Sequence, residues 1–287
     1  MAKPIQDHVA VVTDSCAYIP TELVEQYGIH VVPVYFTMGE QSWRDGVDIE
    51  PPAFYELLRT SRDFPKTSQP NVGDFRDLFL RLAGQVDGVV TIHVSAKLSG
   101  TLDSATAAAA ELPDLPIEII DSQSVSMGQG YPVLAAARAA AGGGDLATVA
   151  AAARSLIGKT HIYFVLGTLE YLYRGGRIGN VSRLLGSVLD LKPVLEFRDG
   201  LIEAAARVRT RRKALEKVYE LVGERLSPGD RVHMSIINVA APEEAAEFGA
   251  ELIARFQPVE VMEVECSPAI GAHAGPGTVG VAFYVES

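Results

Sequence analysis

"GVVTIHVSAKLSGTLDSATAAAA", Gly88 to Ala110, carries the change of pattern on which the fold depends. Its opening "GVVTIHV" is a short apolar run rich in β-branched residues, the composition of a strand buried on both faces. At Ser95 the chain turns small and polar, with hydroxyls at Ser95, Ser99 and Thr101 around Gly100, and an alanine-rich helical stretch begins. The same grammar recurs on both sides. "HVAVVTDS" ends in a polar turn before a helix near Pro20 to Tyr27, and "HVVPVYF", "PIEIID" and "HIYFVLG" are further apolar strands. Pro52–Thr60 and Gly73–Leu82 have helical apolar spacing, and Ala135–Ala153 reads as packed helices around a glycine turn. Strands alternating with helices imply parallel pairing and an α/β sheet covered on both faces.

From Lys192 the pattern changes. "KPVLEFRDGLIEAAARVR" sets an Asp-Gly turn between two alternating runs, which predicts a hairpin. A helix over Thr210–Leu226, the strand "RVHMSIIN", a helix over Pro242–Phe256 and the strands "VEVMEVE" and "VGVAFYVE" follow. The expectation is an α/β protein of two α/β domains. Residues 1–170 would hold a largely parallel sheet flanked by helices, and residues 171–287 a mixed sheet.

A chain of 287 residues suits about two domains. Its net charge of -11 argues against a nucleic-acid backbone or an anionic membrane surface as the main partner. Cys16 and Cys266 make neither a disulfide framework nor a metal spacing, and the six histidines follow no ligand pattern. The N-terminal "MAKPIQDHVAVVTDS" lacks the apolar core of a secretory signal, and "YPVLAAARAAAGGG" is too short to span a bilayer and is broken by Arg138. A cytoplasmic protein without a metal or cofactor is expected.

In open α/β sheets ligands sit beyond the carboxyl ends of strands. Three polar turns are candidates: "TDSCAYIP" with Asp14 and Ser15, "SAKLSGT", and "KTSQPN", Lys66 to Asn71, ahead of a helix. Any one alone is adequately explained as helix capping. Together they point to a small anion, because helix N-termini offer free N–H groups. No Walker-type loop occurs, and "SGT" lacks the glycines of a pyrophosphate cradle. Two further stretches stand out. In "SPAIGAHAGPGTVG" His273 lies among glycines, as a functional loop or as a plain connection between strands. "LEYLYRGGRIGN" places Arg174 and Arg177 around Gly175 and Gly176, as a binding element or a solvated helix end.

Taken in order, "VTDSCAYIP", "KTSQPN", "VSAKLSGTLDSA", "YLYRGGRI", "VLEFRDGLIEAAARVRTRRKAL" and "GAHAGPGTVG" resemble the DegV family of bacterial fatty-acid-binding proteins, over nearly the whole chain. The resemblance implies a long-chain fatty acid in a buried apolar tunnel, with its carboxylate held at positions matching Thr67, Ser99 and His273. It implies polar surroundings from Asp14, Ser15, Ser68, Ser95, Gly100 and Thr101, and a mouth or partner surface at Arg174, Arg177 and Arg209. It also implies a lipid carrier rather than an enzyme, serving a separate ATP-dependent fatty-acid kinase that forms acyl phosphate. Cys16 and Asn71 depart from the residues common in the family, threonine and serine. The rival reading is a serine hydrolase acting on acyl esters through Ser99 and His273, although no G-x-S-x-G elbow occurs. A kinase acting by itself ranks below both, for want of a nucleotide loop.

Overall fold

The computed structural model describes residues 9–61, 63–184, 191–266 and 268–286. The N-terminal residues 1–8, on which the secretory-signal reading partly rests, and Ser267 lie outside them. The chain opens with β1 (Val9–Asp14), a 3-10 turn at Ser15–Ala17, α1 (Thr21–Tyr27) and β2 (His30–Val32). Next come β3 (Tyr35–Met38), β4 (Gln41–Arg44), α2 (Pro51–Thr60) and β5 (Lys66–Ser68). They are followed by α3 (Val72–Leu82), β6 (Gly88–His93), α4 (Thr101–Ala110), β7 (Ile117–Asp121), α5 (Met127–Ala141) and α6 (Leu146–Leu156). The remainder begins with β8 (His161–Val165), α7 (Glu170–Arg174), β9 (Lys192–Arg198), β10 (Leu201–Val208) and α8 (Arg211–Gly223). It closes with β11 (Val232–Val239), α9 (Pro242–Phe256), β12 (Glu260–Glu265), α10 (Pro268–Ala274) and β13 (Thr278–Val285).

These elements form two units. One holds the residues up to Tyr35 together with Ser68–Ile157, and the other holds Phe36–Thr67 together with the residues from Gly158 onward. A single division at 170/171 therefore does not match how the chain is grouped. Residues 36–67 group with the second unit, and so does β8, expected from its apolar run to belong with the first sheet. The reason is pairing: β8 lies antiparallel between β9 and β13, and a short, mostly apolar run suits any buried strand. "HVVPVYF" also divides. Pro33 has no N–H to continue the β2 ladder, and the chain beyond it enters a separate sheet, β4-β3-β5.

In the first unit the sheet runs β2-β1-β6-β7, all parallel. Ala10, Val12 and Val89 turn one face toward Phe75 and Phe79 of α3 and Ala105 and Ala108 of α4. The alternate residues face α5, where Gln129 Nε2 donates to Thr13 Oγ1 at 3.0 Å. The turn at Gly142–Gly144 packs α5 against α6 as expected, and Asp145 caps α6 through the Thr148 N–H.

In the second unit the sheet runs β10-β9-β8-β13-β11-β12, antiparallel except between β11 and β12. The hairpin forms at the Asp-Gly turn, where Asp199 (φ 49°) and Gly200 (φ 78°) take the left-handed conformations of a type I′ turn. Val165, Val194, Val218, Phe248, Val281 and Phe283 anchor its core. Within the basic run "RVRTRRKAL", Arg211 is turned inward: it grips Glu244 at 2.7 and 2.9 Å and the carbonyls of Val165 and Gly277. Arg209 stays exposed between β10 and α8. Among the described residues no helix is long and apolar enough to cross a membrane.

Candidate functional site

His273 sits on a short helix, α10, and not in the glycine-rich loop expected from its neighbours. Pro268 opens this helix where a missing N–H is tolerated, and Gly275 (φ 75°) closes it with its N–H on the Gly271 carbonyl. Asp45 Oδ1 accepts from the Ala269 N–H at 3.4 Å, and the Tyr55 hydroxyl donates to the Cys266 carbonyl. Burial first, then the acidic groups nearby, hold the Tyr55 pKa well above its ordinary value, so it remains a donor. A Cβ on Gly271 would lie 2.7 Å from the Tyr55 hydroxyl oxygen, so only glycine lets α10 approach α2 this closely. These contacts fix where the imidazole points.

It points at Thr67. The Nε2 of His273 lies 2.7 Å from Thr67 Oγ1, across 206 residues of sequence. Its Nδ1 is buried and has no hydrogen-bond partner among the described residues. Burial, reinforced by the positive charge of Arg177, holds the His273 pKa down at about 4, so the ring is neutral at neutral pH. A glycine explains the bare nitrogen: any Cβ on Gly175 would overlap His273 Nδ1. The arrangement is reciprocal, since a Cβ on Gly275 would overlap the Tyr171 ring of α7. Tyr171 in turn packs on Phe64, with ring centroids 5.3 Å apart, and Arg174 lies over Phe64 at 4.1 Å. Arg174 also pairs with Glu170, and Arg177 Nη1 donates to the Gly175 carbonyl. Arg177 thus belongs to the surroundings of His273, and Arg174 braces α7.

The first unit presents the other polar turns. Ser99 Oγ lies 2.9 Å from Thr101 Oγ1 and accepts from the Thr101 N–H at 3.3 Å, so two hydroxyls share the start of α4. Thr101 is buried and Ser99 half-buried. A Cβ on Gly100 would come within 2.8 Å of Gln69 Nε2, so the Gln69 side chain lies against the start of α4 within the first unit. Ser95 is buried, its N–H on the Ser124 carbonyl and its Oγ accepting from the Lys97 N–H. Ser15 Oγ accepts from the Val34 N–H, and Ser68 is exposed at the end of β5. Asn71, one of the two departures, makes a capping box with Asp74 at the start of α3. Cys16, the other, is buried and gives its N–H to Asp14.

Asp14 leads to a network that the sequence reading missed. Its Oδ2 lies 3.0 Å from His93 Nδ1 and accepts from the Val94 N–H, and His93 Nε2 lies 2.6 Å from Thr91 Oγ1. All three side chains are fully buried. Burial alone would push the Asp14 carboxyl up, but the hydrogen bond and charge of His93, with the Val94 and Cys16 N–H groups, bring it below its ordinary range. The available signal was His93 two residues after Thr91 within a strand, hence on one face with it, in a run too apolar to leave an imidazole unpaired. The pair anchors the turn after β1 through the Cys16 N–H and the end of β6, just before Ser95, through the Val94 N–H. Among the described residues, no three His, Cys, Asp or Glu side chains gather as a metal site.

Residues 8–286 match a family model described as an uncharacterised protein of the DegV family. A DegV domain-containing protein of Streptomyces coelicolor is 38% identical over 276 residues, covering 96% of this chain and 97% of that one. A solved structure described as fatty acid binding of a DegV family protein from Thermus thermophilus superposes with a TM-score of 0.91 at 34% identity, over 97% of this chain and 100% of that one. DegV of Bacillus subtilis, described as a fatty acid binding protein, gives a TM-score of 0.91 at 33% identity, over 97% of this chain and 99% of that one.

Proposed function

Because the chain belongs to the DegV family, we propose that it binds a long-chain fatty acid in a buried apolar tunnel, with the carboxylate held by Thr67, Ser99 and His273. In the same proposal it is a cytoplasmic carrier, not an enzyme, and presents the acid to a separate ATP-dependent kinase that forms acyl phosphate. The observation that carries the reading is the meeting of Thr67 and His273 at 2.7 Å from distant parts of the sequence. The fatty-acid binding of the Thermus and Bacillus relatives supports it.

The energetics agree. Burying about fourteen methylenes at roughly 0.8 kcal/mol each yields on the order of 11 kcal/mol, of which association removes several. An unpaired buried carboxylate would cancel much of the remainder, so two or three donors are required, each worth roughly 1.5–3 kcal/mol. Hydroxyls at Thr67 and Ser99 are suited to that task.

The hydrolase reading is less well supported. A triad base needs an acid on its second nitrogen, and His273 Nδ1 has no partner among the described residues. Asp14, His93 and Thr91 do have the order acid, imidazole, hydroxyl, yet all are fully buried and so closed to an ester.

Purified protein is expected to carry a long-chain fatty acid in about equimolar amount, released by denaturing extraction and identified by mass spectrometry. Thr67→Ala and Ser99→Ala should each weaken oleate binding by about tenfold while leaving the fold intact, since each removes one donor. No extractable fatty acid together with no uptake of added oleate would overturn the reading. So would an esterase activity abolished jointly by Ser99→Ala and His273→Ala.

A further inference from the structure

We infer that the outer edge of β12 is a docking site for an extended basic segment of another protein, which joins the second sheet as a further strand. The inference stands apart from the fatty-acid reading and uses none of the proposed head-group residues.

The six-stranded sheet has two edges, β10 and β12. Open edges invite unwanted pairing, and proteins blunt them with bulges, covering segments and charge. β10 has two of these devices. Its register slips between Ala204 and Ala206, and the 3-10 segment Gly179–Leu184 lies against it, with Asn180 Nδ2 donating to Glu203. β12 has neither. It pairs with β11 in unbroken register, from His233 opposite Glu260 to Asn238 opposite Glu265. No other strand among the described residues pairs with it. The Cys266 N–H donates to the Asn238 carbonyl at 2.8 Å, and backbone partners alternate along a ladder, so Val264 and Met262 also turn toward β11. The N–H and C=O groups of Val261 and Glu263 therefore point outward.

The side chains along this edge say what would fit it. Val261 stands beside Met234 on the face that packs against α8 and α9, yet at the sheet's rim it is 37% exposed, and Val259 is 47% exposed. Glu263 and Glu265 follow on the same face, both exposed. No basic residue lies between Val259 and Cys266, and neither glutamate has an ion-pair partner among the described residues. A second copy would set Glu260, Glu263 and Glu265 of each chain against the same residues of the other, in a protein of net charge -11. That excludes self-pairing as the favoured use. A strand with Lys or Arg opposite Glu263 and Glu265, and apolar residues opposite Val259 and Val261, complements both halves of the edge. Main-chain hydrogen bonds would give it affinity, and the alternate side chains selectivity.

The test uses the full chain and the blocked peptide acetyl-Lys-Thr-Lys-Thr-Val-Thr-Val-amide. Laid antiparallel to β12, it sets its lysines opposite Glu265 and Glu263 and its valines opposite Val261 and Val259. Titration at low salt should saturate below about 1 mM peptide. At saturation the amide hydrogens of Val261 and Glu263 should exchange about tenfold more slowly. Glu263→Lys combined with Glu265→Lys should weaken binding by about tenfold. Methylating the lysine and valine backbone nitrogens of the peptide, which would face β12, should abolish binding. Methylating the threonine nitrogens, which would face solvent, should leave affinity within about threefold. No saturation, equal affinity for the charge-reversed protein, or indifference to which nitrogens are methylated would each overturn the inference. So would a concentration-dependent dimer abolished by Val261→Lys, because the edge would then belong to a second copy.

Discussion

Asp14→Ala should lower the unfolding free energy by about 3–5 kcal/mol, because it strands three buried hydrogen-bond partners at roughly 1–3 kcal/mol each. The loss is large because Asp14 does several things at once. Its two oxygens accept from the Cys16 and Val94 N–H groups and meet His93 Nδ1, all in a fully buried setting. Alanine leaves those N–H groups and the imidazole without acceptors, and water cannot reach them without opening the sheet. Asp14→Asn should cost less, since an amide oxygen still accepts, although the charge opposite His93 is gone. Equilibrium urea unfolding of both variants at pH 7 measures this. A loss below about 1 kcal/mol in Asp14→Ala would mean that the network contributes little. The pH dependence has a defined sign. The folded-state pKa of Asp14 lies below its ordinary 3.8, so its stabilisation is present above that value and is lost as pH falls through the folded pKa.

A second large effect comes from His273, in a different pH window. Its pKa falls from about 6.5 in the unfolded chain to about 4 in the folded one. Below 6.5 the unfolded chain takes up a proton that the native imidazole refuses, so stability declines as pH falls to about 4 and then levels off. A shift of this size is worth on the order of 3 kcal/mol. Burial lowers His30 and His161 in the same direction, so the total decline is larger than the share of His273. The difference between delipidated wild type and His273→Gln isolates that share. Plotted against pH, it should be flat above 7 and grow by on the order of 3 kcal/mol toward pH 4. A difference independent of pH would show that His273 is readily protonated in the folded protein, against the burial described here.

The parts of the fold that were legible in sequence are those decided locally. Asp199-Gly200 announces its hairpin because two adjacent positive φ values suit those residues and few others. β1 and β6 announce a parallel sheet through runs mostly apolar on both faces and the polar turns that end them. What failed was decided by distant partners. Nothing within "HIYFV" says that β8 pairs with β13, more than a hundred residues away, and its apolar run fits either sheet. α10 was missed because alanine, glycine and histidine give no apolar period, although Pro268 and Gly275 do mark its ends. At the candidate site, the polar turns could be found from composition, but pairing Thr67 with His273 could not. Their assignment to one head group came from the family resemblance, and the reading of residues alone left His273 open between connection and function.

The placement of β13 bears on how the protein is made. This strand lies between β8 and β11 in its sheet, yet it leaves the ribosome after both. Until it emerges, β8 can pair with β9, and β11 with β12, but two unsatisfied edges wait for the same late strand. Such edges are where a growing chain recruits the wrong neighbour. Synthesis that stalls within the last turns before Thr278 would release a product with intact local elements and a divided sheet. A nascent chain of this topology is therefore open to edge pairing until β13 joins the sheet.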